Sequence, residues 1–331
     1  MRSALWVVFA TACGGSEPAA PVDAGVESST DALPDTGASL RPCPTLGQGA
    51  VVGDVCWLLT PAESGLPSSG TRATVDQYAL RPTTGARGKL VVFFNGSGGS
   101  PLAGTRGSAT QSFYATARAA GLHVFAVSYR SDDAVGVLCK GSDACFLPTR
   151  RTIMTGVFES GAAPSLANVT PDEGALARLV AALKTLSVRD PMGGWDAFLD
   201  PNGTTDATRV RWSKVIASGH SHGGGHAALV GLSFPIDRVV ALASPCDLTA
   251  TGPATWLDAT TTTYATDPKS AFHGLGAVGD TTCTGYPAIW TSLGLDPSRR
   301  HADAVICAGA TAHSAPLECI ENAATWSAML Q

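Results

Sequence analysis

Lys214-Val215-Ile216-Ala217-Ser218-Gly219-His220-Ser221-His222-Gly223-Gly224-Gly225-His226-Ala227-Ala228 reads as a strand that stops, a tight turn, and a helix that starts at once. The β-branched run ends at Gly219, Ser221 follows one residue later, and an Ala/Leu stretch of helical character begins behind the glycines. A serine in the pattern G-x-S-x-G occupies a sharp, strained strand-to-helix turn that lifts its Oγ clear of the sheet, and only small neighbours let the two backbones pass that closely. Five-residue patterns arise readily by chance in a chain with 37 glycines. Here the motif falls between a predicted strand and a predicted helix, which is the context that gives it meaning.

Working outward, Lys89–Phe94 is the clearest buried strand, Ser112–Ala120 a helix, His123–Tyr129 the next strand, and Gly174–Leu186 the helix before the Ser221 strand. Arg238–Ala243, Phe272–Val278 and Ala304–Cys307 are read as later strands, and segments around Val51–Leu59 and Ala73–Leu80 as an opening antiparallel pair. Alternation of strand and helix predicts an α/β fold with a mostly parallel central sheet and helices on both faces. Between Ser131 and Thr170, and again between Leu248 and Pro268, the pattern fades into polar sequence; such insertions lie beyond strand ends, where ligands bind.

A hydroxyl is a weak nucleophile at neutral pH and needs an imidazole to take its proton, with an acid to hold that imidazole's tautomer. Of the seven histidines, His313 is preferred as the base, because it stands in the loop directly after the predicted last strand. His301 falls before that strand, at its other end. Asp280 closes the strand Phe272–Val278 and is the favoured acid, with Asp247 as the alternative. The developing oxyanion needs preorganised N–H donors. His222, next after the serine, supplies one; Gly96 or Ser97, in the loop Phe94-Asn95-Gly96-Ser97-Gly98-Gly99-Ser100-Pro101, supplies the other. No G-x-x-x-x-G-K-[ST] follows, so a phosphate cradle has little support.

The strand, the Asn-Gly-Ser-Gly-Gly loop, the Gly-His-Ser-His-Gly-Gly turn, the following Ser244-Pro245-Cys246-Asp247 and the late Asp280 and His313 together resemble the α/β-hydrolase superfamily. Arg150-Arg151, Gly193-Gly194-Trp195 and Trp290–Gly294 resemble landmarks of a little-characterised exported bacterial branch. The resemblance covers residues 90 to 331 and implies a serine hydrolase working through an acyl-enzyme, esters being the commonest substrates, with no cofactor. The oxyanion loop lacks a His-Gly-Gly-Gly motif, unlike the hormone-sensitive-lipase-like group. Two other readings stay open. His220, His222 and His226 could hold a metal, His222 and His226 being spaced i, i+4 on one helix face; or the fold could serve as a non-catalytic binding module.

Residues 1–13 have the form of a targeting segment: Arg2, the apolar Leu5–Ala10 and a small-residue cleavage site before Cys13. The segment resembles a bacterial lipoprotein signal in which Cys13 is lipidated, and the same residues also suit an ordinary secretory signal. Residues 14–41 are rich in Gly, Ser, Pro, Ala, Asp and Thr and are expected to form a disordered tether. Residues 42–331 form the catalytic domain on this reading, outside the cytoplasm, with a membrane tether through Cys13. Eight cysteines besides Cys13 suit four disulfides, nearest neighbours suggesting Cys43–Cys56, Cys139–Cys145 and Cys307–Cys319, with Cys246–Cys283 by default. The net charge of −5 with no basic cluster argues against nucleic acid as a partner. The expected partner is a small-molecule or polymeric ester.

Overall fold

The computed structural model describes residues 40–43, 55–102 and 110–331. The proposed signal segment and all but the last residues of the proposed tether lie outside them.

Among the described residues there are eleven strands: β1 Arg41–Pro42, β2 Val55–Leu59, β3 Gln77–Arg81, β4 Leu90–Phe94, β5 His123–Val127, β6 Val215–His220, β7 Arg238–Leu242, β8 Leu248–Thr249, β9 Gly252–Pro253, β10 Phe272–Leu275 and β11 Arg300–His301. The α-helices are α1 Thr110–Ala119, α2 Val135–Cys139, α3 Asp143–Thr155, α4 Ala175–Arg189, α5 Asp206–Arg209, α6 His222–Ser233, α7 Pro268–Ala271, α8 Tyr286–Ser292, α9 Ala315–Glu318 and α10 Ala323–Leu330. Nine strands form one sheet in the order β1-β2-β3-β5-β4-β6-β7-β10-β11. Strands β1 to β3 run antiparallel, β3 is antiparallel to β5, and every pair from β5 to β11 is parallel. Strands β8 and β9 form a separate small hairpin.

All five residues of β4 and all six of β6 are buried, the signature of strands covered on both faces. Alternation along β4 divides the core. Val92 and Phe94 point with Phe125, Val127 and Ala217 toward α4 and α6. Val91 and Phe93 point with Val124, Ile216 and Val240 toward α1 and α10. On that second face Phe93 meets Phe113 and Tyr114 at centroid distances of 5.6 and 5.3 Å, and Phe113 meets Trp326 edge-on at 5.7 Å. These aromatic contacts lock α1 and α10 against the strand that leads into the Asn95–Ser100 loop.

Four disulfides join Cys43 to Cys56, Cys139 to Cys145, Cys246 to Cys283, and Cys307 to Cys319. Among the described residues no helix is long and apolar enough to cross a membrane.

Two sequence expectations are corrected. Ala304–Cys307 is not a strand; the last strand is β11, so His301 lies within it. Val305 and Ile306 are about half exposed, and the Asn322 side chain, not a strand, satisfies both the amide and the carbonyl of Val305. The stretch 131–170, expected as loop, holds α2 and α3, joined by the Cys139–Cys145 bridge.

Candidate active site

Ser221 stands between β6 and α6 with φ 55° and ψ −124°, in the left-handed half of conformational space that a side chain adopts only under constraint. The glycines around it supply the constraint. A Cβ on Gly219 would collide with the backbone of Gly223, one on Gly223 with the carbonyl of Phe94, and one on Gly224 with Ser244 Oγ. Helix α6 therefore presses directly on β4 and β6, and the serine amide is tied to Leu242 O at 2.9 Å.

His313 Nε2 lies 2.8 Å from Ser221 Oγ, and His313 Nδ1 lies 2.8 Å from Asp280 Oδ2. A carboxylate only accepts, so the proton between them is on Nδ1, leaving Nε2 free to receive the serine proton. The Asp280 side chain is 2 % exposed and that of His313 16 %. Asp280 Oδ1 accepts from the amides of Thr282 at 2.8 Å and Cys283 at 3.0 Å, and Cys283 is bonded to Cys246. The His313 turn is closed by reciprocal bonds between Thr311 and Ser314, and its carbonyl accepts from His220 Nε2 at 2.8 Å. His220 thus carries its proton on Nε2, and burial holds its pKa down at about 4.

The second candidate acid is elsewhere. Asp247 is 1 % exposed and pairs bidentately with Arg150, Nε to Oδ2 at 2.7 Å and Nη2 to Oδ1 at 2.5 Å; Trp256 Nε1 adds a third bond at 3.0 Å. Its oxygens are engaged by Arg150 and Trp256, and Arg150 Nη1 also reaches His222 O, in α6's first turn, at 3.0 Å.

The three elbow histidines do not converge. His220 turns to the His313 carbonyl, whereas His222 Nε2 and His226 Nε2 face one another at 3.2 Å. The amide of Val135 donates to His222 Nδ1 at 3.2 Å, so the His222 proton is on Nε2 and points at His226. Burial, followed by the Arg150 charge, holds His222 well below the usual imidazole range; burial, then His222, does the same to His226. Among the described residues the one group with metal-ligand spacing is Cys307, Cys319 and Glu321, and its cysteines are bonded to each other.

The loop after β4 is braced from within and by Ser131. Asn95 Nδ2 donates to the carbonyls of Gly96 and Gly99 and to Ser131 Oγ, at 3.1, 3.0 and 3.0 Å. Gly98 N bonds Ser131 O and Gly99 N bonds Gly96 O. A Cβ on Gly96 would sit 3.2 Å from His220 Nδ1 and 3.4 Å from Ser221 Cβ, so this loop lies directly against the serine. Sequence reasoning missed the roles of Tyr129, Arg150 and the His220 ring; the apolar spacing of Phe146, Thr149, Arg150, Ile153 and Met154 on α3 was a signal that Arg150 is buried.

No family model matches the chain, and no curated protein matches it. Among solved structures, the chain is similar to an S-formylglutathione hydrolase from Agrobacterium tumefaciens, with 12 % identity over 89 % of this chain and 100 % of that one, TM-score 0.47. It is also similar to a predicted CIB-like hydrolase from Thermoplasma acidophilum, with 14 % identity over 84 % and 99 %, TM-score 0.42. A third is EstE1, a carboxylesterase from a metagenomic library, with 14 % identity over 83 % and 89 %, TM-score 0.38. The sheet order, the run of parallel crossovers from β4 onward and the strained strand-to-helix turn at Ser221 are those of an α/β-hydrolase fold.

Proposed function

We propose that the protein is a serine hydrolase that cleaves carboxylic esters through an acyl-enzyme. One observation carries this reading: a strained serine within 2.8 Å of a histidine that is itself 2.8 Å from a buried carboxylate. Ser221 Oγ attacks the acyl carbon as its proton passes to His313 Nε2, and Asp280 holds the resulting imidazolium. The amides of His222 and of Ser97 or Gly96 receive the oxyanion. Collapse of the tetrahedral adduct breaks the bond to the alkoxy oxygen, which takes the proton from His313. Water, deprotonated by the same histidine, then releases the acid and restores Ser221.

The test is a fluorophosphonate probe followed by intact mass, then turnover of p-nitrophenyl esters with and without a chelator. Wild type should gain one adduct, Ser221→Ala none, and ester turnover should survive chelation. Absence of an adduct on wild type would overturn the reading.

Four disulfides support an oxidising compartment outside the cytoplasm. The same reading includes a lipid anchor at Cys13. In cells, Cys13→Ala should move the protein from the membrane fraction to the soluble fraction; unchanged fractionation would favour the ordinary secretory signal.

A further inference from the structure

His222 follows the serine, and each of its polar atoms but one is engaged. Its carbonyl accepts from Arg150, its Nδ1 accepts from the Val135 amide, and its Nε2 meets His226. What is left is the main-chain N–H at the start of α6. The Tyr129 ring lies flat on the His222 ring, centroids 5.8 Å apart and planes within 5°. The Tyr129 hydroxyl donates to Asn95 O at 2.5 Å, immediately before Gly96 and Ser97. One stretch of chain, Tyr129 to Arg150, therefore grips both backbones that flank Ser221 Oγ.

Arg150 is the anchor of that stretch. Its guanidinium occupies the space that a Cβ on Gly225 would fill, so helix and arginine are fitted to each other. A buried ion pair is an expensive way to fill space, since removing two charges from water costs several kcal/mol per ion and an apolar pair of similar volume packs as well. Hydrocarbon cannot, however, donate a third hydrogen bond to the carbonyl of the residue whose N–H follows the nucleophile, one peptide further into α6. We propose that Arg150, oriented by Asp247, is a positioning residue that holds the His222 backbone in register as an oxyanion donor. The inference rests on the acyl-transfer reading of Ser221.

The test uses Arg150→Met/Asp247→Leu, which leaves no unpaired buried charge, and Arg150→Lys, which keeps the charge without the fork. Val180→Ala, in the core of α4, is the control for lost stability alone. The readouts are kcat and KM on a p-nitrophenyl ester and affinity for a trifluoromethyl ketone, which adds to the serine as a tetrahedral adduct. In the double variant kcat and ketone affinity should fall together by ~10–100-fold with KM within about threefold, because a donor displaced from the oxyanion is lost only where charge develops. Arg150→Lys should fall between, and Val180→Ala should keep wild-type kcat despite its lower Tm. Wild-type kcat and ketone affinity in Arg150→Lys and the double variant, or an equal loss in Val180→Ala, would overturn the proposal. If the double variant does not fold, Arg150→Lys alone decides. A wild type that takes up neither probe would instead remove the acyl-transfer reading, and this inference with it.

Discussion

Two buried aspartates follow neighbouring strands and carry opposite assignments. Asp280 faces an imidazole and Asp247 faces a guanidinium, so their carboxamide variants separate the roles. Asp280→Asn keeps an oxygen for the Thr282 and Cys283 amides but no longer holds the His313 proton on Nδ1. Its kcat should fall by about 10⁴ with far-UV circular dichroism unchanged. Should kcat stay within tenfold of wild type, Asp280 is not the triad acid. Asp247→Asn should lower Tm, because it strips the partner from a buried cation, and should lower kcat far less than Asp280→Asn, since it reaches the reaction only through Arg150. Glycine 223 gives a sharper backbone test. Its Cβ would strike the Phe94 carbonyl, so Gly223→Ala should either fail to accumulate or lose most of its turnover through a displaced α6; wild-type kcat in soluble protein would contradict the packing described for the turn.

At the scale of elements, disulfides pin the loops that carry Asp280 and His313, Cys246–Cys283 and Cys307–Cys319 respectively. Closing a loop of 37 residues restricts the unfolded chain by about 4 kcal/mol, against about 2 kcal/mol for the short Cys139–Cys145 loop. Replacing Cys246 and Cys283 with alanine should therefore lower Tm more than replacing Cys139 and Cys145. It should also lower kcat, since the Cys283 amide holds Asp280. An unchanged kcat would mean that the amide bonds alone suffice. How much of this was legible in the sequence follows from how local each signal is. The run Leu90–Phe94 and the glycines around Ser221 announce their elements because the constraint lies in adjacent residues. Chain order directed attention to Asp280 and His313, and the structure places His313 against Ser221 and Asp280 behind His313. The spacing on α3 hinted that Arg150 is buried, but its pairing with Asp247 was not legible, because the two are 97 residues apart. Ala304–Cys307 misled because β-branched residues looked like a strand, while a side chain distant in sequence, Asn322, had taken over their backbone bonds. Helices α2 and α3 were hidden by Gly136, Gly141 and Pro148, and the Cys139–Cys145 bridge joins them.

For the whole molecule, burial sets the acid limit. His123, His220, His222, His226 and His273 all have pKa values lowered from 6.5, His220 and His273 to about 4, desolvation being the largest cause in each. Between pH 6.5 and about 4 the unfolded chain binds protons that these folded imidazoles refuse, so stability falls as pH falls through that window. Tm should decline continuously from pH 6.5 to pH 4, and His273→Gln should flatten the decline; a Tm constant over that range would contradict the burial of these rings. The Cys43–Cys56 bridge has a mechanical consequence. Strand β1 is one edge of the sheet and β11 the other, so a load applied at Leu40 enters at the edge away from the His313 loop. The bridge spans a sequence separation of 13 residues, a slack of ~45 Å if drawn out fully, and while it is closed that slack is withheld. In a pulling experiment from the N-terminal side, reduction should therefore add an early extension of that length before the parallel strands yield. The oxidised protein should transmit the same force straight into β2 and yield in one step.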